Sequence, residues 1–201
     1  MKKNFPIEII IVISLFMIPA NLVAQRFKGG VMAGLNVSQI DGDSWAGYNK
    51  AGLVGGAFVY TDFTDKWGAQ MEIRYAAKGS ASPKYYGSSI KFRLQYIEIP
   101  LVTTFKPLKY LAFQGGLSFG YLFSAGRNDG DGYQKINLSK NTETALCVGI
   151  NFSYFKSFDL NARFAYSVFP ISADYIDQTF NYGALYNDVI TFGIYYHIGE
   201  R

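Results

Sequence analysis

From Trp67 to Lys78 the chain reads W-G-A-Q-M-E-I-R-Y-A-A-K. Trp67, Ala69, Met71, Ile73, Tyr75 and Ala77 form one set, and Gly68, Gln70, Glu72, Arg74, Ala76 and Lys78 the alternate set. The first is apolar and the second polar or small, the period-two signature of a strand whose faces meet different media. Strands of soluble sheets usually run for about five or six residues, whereas a tilted strand crossing a bilayer needs about 9–11. The length of this alternation predicts a transmembrane strand with aromatic residues near both ends.

Similar stretches recur at Phe27–Ser38, Ala51–Tyr60, Ile90–Phe105, Leu111–Phe123, Thr142–Phe155, Leu160–Ser167 and Ile190–Ile198, eight strands in all. In the stretch from Ala51 the facing is ambiguous. In the one from Ile90 the apolar phase reverses near Tyr96-Ile97, which predicts a β-bulge close to Pro100. The connections alternate long and short, as in outer-membrane barrels with short periplasmic turns and longer extracellular loops. The expected fold is therefore an all-β, eight-stranded antiparallel up-and-down transmembrane barrel, with both of its ends in the periplasm. A closed barrel pairs every backbone polar group, which hydrocarbon requires.

The N-terminus carries Lys2-Lys3, then an apolar run from Ile7 to Ile18, then Pro19-Ala20-Asn21-Leu22-Val23-Ala24 with small residues towards its end. These predict a secretory signal peptide over residues 1–24, cleaved after Ala24, followed by one barrel domain over 25–201. A net charge of +4 without a Lys/Arg cluster gives no support to nucleic-acid binding. The single Cys147 precludes an intramolecular disulfide. With one histidine, His197, catalytic and metal sites have few possible donors, and no cofactor is expected. The Asp- and Gly-rich stretches at 41–43 and 129–132 lack the ligand spacing of a calcium loop and are expected to serve as turns.

Alternation alone does not say which face is outside, since a soluble lipocalin-like barrel has the same period with the faces exchanged. The Gly, Ala, Ser and Asn content of the polar face suits a narrow lumen, and the aromatic residues suit an interfacial girdle. An eight-stranded interior is just wide enough to be filled by side chains. Gln70, Glu72, Arg74, Glu98, Asn161 and Arg163 are expected there as a structural polar cluster, with no catalytic role. The first alternative is a lipid-modifying acyltransferase or deacylase using His197; the second is a lipocalin-like periplasmic binder.

Three segments resemble the PorT-like outer-membrane β-barrel family of Bacteroidetes, related in form to small OmpA/OmpX-type barrels. They are G-G-V-M-A-G-L-N-V-S at 29–38, M-E-I-R-Y-A-A-K-G at 71–79 and Y-I-E-I-P-L at 96–101. The resemblance implies an outer-membrane location, with a link to protein secretion in the family's namesake, while the transmembrane pattern without a catalytic constellation predicts a non-enzymatic protein. Expected partners are outer-membrane lipids, the barrel-assembly machinery and an unidentified extracellular or periplasmic protein.

Overall fold

A computed structural model describes residues 27–43, 45, 47–82, 90–153, 155–172, 175–176 and 181–199. The expected signal peptide and its cleavage site lie outside the described residues. Eleven strands follow in chain order: β1 (Lys28–Asp41), β2 (Lys50–Asp62), β3 (Trp67–Lys78), β4 (Lys91–Leu108), β5 (Leu111–Asn128), β6 (Tyr133–Lys135), β7 (Thr142–Phe152), β8 (Phe158–Ser167), β9 (Tyr175–Ile176), β10 (Asn181–Tyr182) and β11 (Tyr186–Ile198).

Eight of them close a barrel in the order β1-β2-β3-β4-β5-β7-β8-β11, with β11 returning to β1. Every neighbouring pair is antiparallel. Closure leaves no unpaired edge along the barrel wall. Short β6 adds to β5 beyond the wall, and β9 pairs with β10 in the connection between β8 and β11.

The turns at one end are short. Between β2 and β3, Phe63 and Thr64 donate their N–H groups to Trp67 O, while Thr64 Oγ1 accepts from the amides of Lys66 and Trp67. Between β4 and β5 only Lys109 and Tyr110 intervene. Longer connections gather at the opposite end, as the loop lengths predict.

The alternation resolves into inside and outside as expected for lipid. Met71, Ile73, Phe119 and Ile150 are 49, 58, 46 and 47% exposed, whereas Glu72 and Arg74 on the other parity are 1 and 4% exposed. The ambiguous β2 turns Val54, Phe58 and Tyr60 inward and Leu53, Ala57 and Val59 outward. At the short-turn end the outward aromatics pair across strands: Trp67 with Phe105 at 4.7 Å, Tyr110 with Phe152 at 6.0 Å and Phe158 with Tyr196 at 5.1 Å between centroids. Tyr75 and Phe123 meet at 6.2 Å towards the other end. Trp67 and Tyr75 are eight residues apart on one strand, a height of roughly 20 Å at ~3.3 Å per residue and ~40° tilt. That matches an apolar band bounded by two aromatic girdles.

The expected phase reversal in β4 is not there. Phe92, Leu94, Tyr96, Glu98, Pro100 and Val102 all face inward, on one unbroken parity. The register does shift at this level, between Gln95 and Tyr96, but the extra residue is Phe123 on β5. What changes along β4 is chemistry rather than facing. Below Ile97 the outward Ile99, Leu101 and Phe105 are apolar, and Glu98 on the inward parity joins the polar lumen. Above it the outward positions are Gln95, Arg93 and Lys91, and the inward ones Tyr96, Leu94 and Phe92. The strand has left the hydrocarbon there, so its outer wall meets headgroups and water, and its interior is an ordinary hydrophobic core.

Candidate functional site

The lumen holds three carboxylates and three cations linked in one alternating line. Lys78 lies between Glu143, at 3.1 Å, and Glu98, to which it is also paired. Arg74 Nε donates to Glu98 Oε2 at 2.8 Å, and Arg74 Nη1 lies 3.5 Å from Glu72 Oε2. Arg163 Nη2 donates to Glu72 Oε1 at 2.8 Å and to Gln114 Oε1 at 2.9 Å. All six charged side chains are buried. Unpaired, any one of them would carry a large desolvation cost; in sequence along the axis, each charge has an opposite neighbour.

Neutral groups complete the line. Gln70 donates to Glu72 Oε1 at 2.7 Å, as does Tyr195 OH at 3.1 Å. Asn161 donates to Gln114 at 2.8 Å. At the other end Glu143 accepts from Ser167 Oγ at 2.9 Å and from Asn187 Nδ2 at 3.0 Å, and Asn187 also donates to Tyr96 OH at 3.2 Å.

Strand register explains the slot in which Lys78 sits. Gly120 is the cross-strand partner of Glu98 on one side and of Glu143 on the other. A Cβ at Gly120 would lie 3.2 Å from the Tyr96 ring and 3.5 Å from Glu143 Cβ. The missing side chain therefore leaves room for the Tyr96 ring and Glu143, and the Lys78 ammonium lies between the two carboxylates, 4.9 Å from the Tyr96 ring centroid.

Gln70, Glu72, Arg74, Glu98, Asn161 and Arg163 thus all fall in this one network. Lys78, Glu143, Gln114, Tyr195 and Asn187 belong to it as well, although the sequence reasoning did not single them out. Parity could have found the first two, since Lys78 continues the Gln70-Glu72-Arg74 series and Glu143 precedes Cys147 and Gly149 on one face.

Above the charges the interior turns apolar. Ile40, Phe92, Leu94, Tyr96, Leu122, Ala125, Ile171 and Leu185 form a buried cluster, with Trp45, Ile136 and Leu138 from the loops packed on it. Asp43, buried beside this cap, accepts from the Trp45 amide at 2.9 Å, and burial raises its pKa above the ordinary 3.8.

Below the charges the barrel opens at the short-turn end into a recess of about 810 Å³, lined by Gln70, Gln114, Lys106, Lys156, Asp159 and His197 among others. His197 Nε2 lies 2.9 Å from Asp159 Oδ2, which also accepts from Asn151 at 2.8 Å. The imidazole packs edge-on against Phe58 and Tyr60, each at 5.2 Å. Ser157 meets His197 through its backbone carbonyl, which accepts the His197 amide at 2.9 Å. Among the described residues no group of three or more His, Cys, Asp or Glu side chains is placed to hold a metal ion.

A closed antiparallel barrel with an apolar wall between aromatic girdles, and with its charges inside, is built as an integral outer-membrane protein. The lipocalin-like alternative needs the opposite facing and is set aside. A family model described as outer membrane protein beta-barrel domain matches residues 20–173, and the chain belongs to that family. Among solved structures it is similar to Ail, the attachment invasion locus protein of Yersinia pestis. Identity is 16% and TM-score 0.53, covering 85% of this chain and 98% of Ail. It is also similar to Neisserial surface protein A, with 13% identity and TM-score 0.55, covering 85% of this chain and 96% of that one. At such identities the likeness concerns the fold. A comparison with curated proteins finds no match.

Proposed function

We propose that this protein is a non-enzymatic outer-membrane barrel whose lumen is shut by its own side chains, and whose extracellular strand extensions and loops present an interaction surface. The observation that carries this reading is the stacking of two different seals. The alternating ion pairs fill the part of the lumen within the membrane, and the apolar cap of Leu94, Phe92, Ile171 and Leu185 lies above them. An ion entering from the recess would have to break charge pairs and then cross a largely apolar cap. Planar-bilayer recordings test this. The folded protein should insert without steady ion conductance, and a steady conductance of constant size would overturn the reading.

One observation favours a second reading, an enzyme acting on lipid: the His197–Asp159 pair opens onto the recess. Lipid mass spectrometry of cells with and without the gene separates the two. An altered lipid that disappears with His197→Ala would establish the enzyme, and an unchanged profile on deletion would eliminate it. The finer assignment, to the PorT-like group and its link with secretion, rests on the Tyr96–Leu101 match. It calls for crosslinking through the 124–141 loop or the periplasmic turns, followed by identification of co-purified secretion components.

A further inference from the structure

The outward face of β4 records where the lipid ends. Leu101, Ile99 and Ile97 are exposed and apolar. The next outward residue, Gln95, donates to Tyr75 OH at 3.2 Å, at the level of the upper girdle. Arg93 and Lys91 follow, roughly 5 and 10 Å higher along a tilted strand. A headgroup layer adds only several ångströms beyond the hydrocarbon on each side. Arg93 therefore stands at the height of lipid phosphates and Lys91 just above it, at the outer edge of the headgroup layer.

The short strand β6 brings a further cation to the same place. Arg93 is the register partner of Gly126, and Gly126 that of Lys135, so Arg93 and Lys135 flank a residue without a side chain. Cross-strand partners project to the same face of a sheet. A Cβ at Gly126 would lie 3.3 Å from Gln134 O and 3.5 Å from the Tyr133 ring, so the glycine lets that ring rest against the strand between the two cations. The Arg93 guanidinium lies over the Tyr133 ring at 5.0 Å, which holds it in place. Among the described residues none of Lys91, Arg93 and Lys135 takes part in an ion pair, whereas Arg127 nearby is neutralised by Asp129 at 2.6 Å. Like charges gathered without a counter-charge oppose one another until an anion arrives.

We propose that Lys91, Arg93 and Lys135 form a cationic saddle that binds the phosphate groups of anionic lipids in the outer leaflet. This rests on the membrane placement and is independent of whether the lumen is closed. A guanidinium supplies a planar fork and the ammonium groups point charges, a combination suited to a phosphate ester. Basic side chains at a membrane surface attract anionic headgroups by about fivefold each.

The test uses the full chain folded in zwitterionic detergent micelles, titrated with a fluorescent phosphatidic acid. Lys91→Gln/Arg93→Gln/Lys135→Gln should lower lipid association by on the order of a hundredfold, with heat-modifiable gel migration retained as proof of folding. Lys91→Arg/Lys135→Arg should keep it. A control triple at the opposite end, Lys66→Gln/Lys109→Gln/Lys156→Gln, should bind as the wild type. Inorganic phosphate in the same assay separates a lipid site from one for the free ion; full competition at low concentration would overturn the lipid assignment. Unchanged association in the first triple, or equal loss in the control, would overturn the saddle. A first triple that loses binding to a sulfated polysaccharide while keeping the lipid would also overturn it, marking a polysaccharide surface instead.

Discussion

Arg74 and Glu98 are direct cross-strand partners of β3 and β4, and the guanidinium Nε meets the carboxylate at 2.8 Å in the middle of the lumen. Glu98 also holds Lys78, so one carboxylate joins two cations. Glu98→Gln is therefore expected to be more damaging than loss of a surface pair. The stranded charges should cost about 3–5 kcal/mol, read as a lower urea midpoint for unfolding from lipid bilayers. The double variant Arg74→Met/Glu98→Leu leaves Lys78 with Glu143 and Glu72 with Arg163. It should recover most of the loss.

Gly120 offers a test of the slot beside this pair. Gly120→Val places branched methyls against the Tyr96 ring and Glu143, and overpacking of this kind costs about 1–3 kcal/mol. The Tyr96→Phe variant removes only a hydroxyl that accepts from Asn187, and should cost about 1 kcal/mol. Both are measured by the same unfolding midpoint, with Gly120→Val expected to be the larger.

Lipid exposure predicts a gradient along the outer wall. An arginine at Ile73 or Leu117, within the apolar band, should cost about 2–4 kcal/mol, and one at Gln95, near the interface, about 0–1 kcal/mol. Equal costs at the two levels would contradict the placement of the bilayer.

Asp43 links the extracellular cap to pH. Its folded pKa is raised above the ordinary 3.8 by burial, so the neutral acid is the form the cap prefers. The contribution is fully present below about 3.8 and is lost as pH rises through the higher folded value. Trp45 packs on Phe92 at 5.8 Å and reports the cap by fluorescence. In a Trp67→Phe background its emission should shift to the red as pH rises, and Asp43→Asn should abolish the shift.

Much of this was legible in the residues. The barrel followed from β3 because lipid imposes one rule on every outward position, and no tertiary contact is needed to read it. Lumen residues on the same strand were legible by parity. The upper barrel was less so, because the rule reverses once a strand leaves the bilayer. Phe92, Leu94 and Tyr96 then look like lipid-facing residues out of phase, and a bulge in β4 was the natural inference. The real irregularity at Phe123 leaves β5 locally alternating on either side and gives no comparable signal. Closure of the cap by Trp45, Ile171 and Leu185 depends on contacts between loops far apart in sequence, which periodicity does not encode.

The reversal of chemistry along β4 has a kinetic corollary. A barrel inserted from the periplasmic side must carry Arg93 and Lys91 through acyl chains before they reach water, at about 2.5–3.5 kcal/mol for each charge near the bilayer centre. The finished barrel bears none of that cost. The toll falls on the threading step, so membrane thickness governs how fast the protein arrives far more than how firmly it stays.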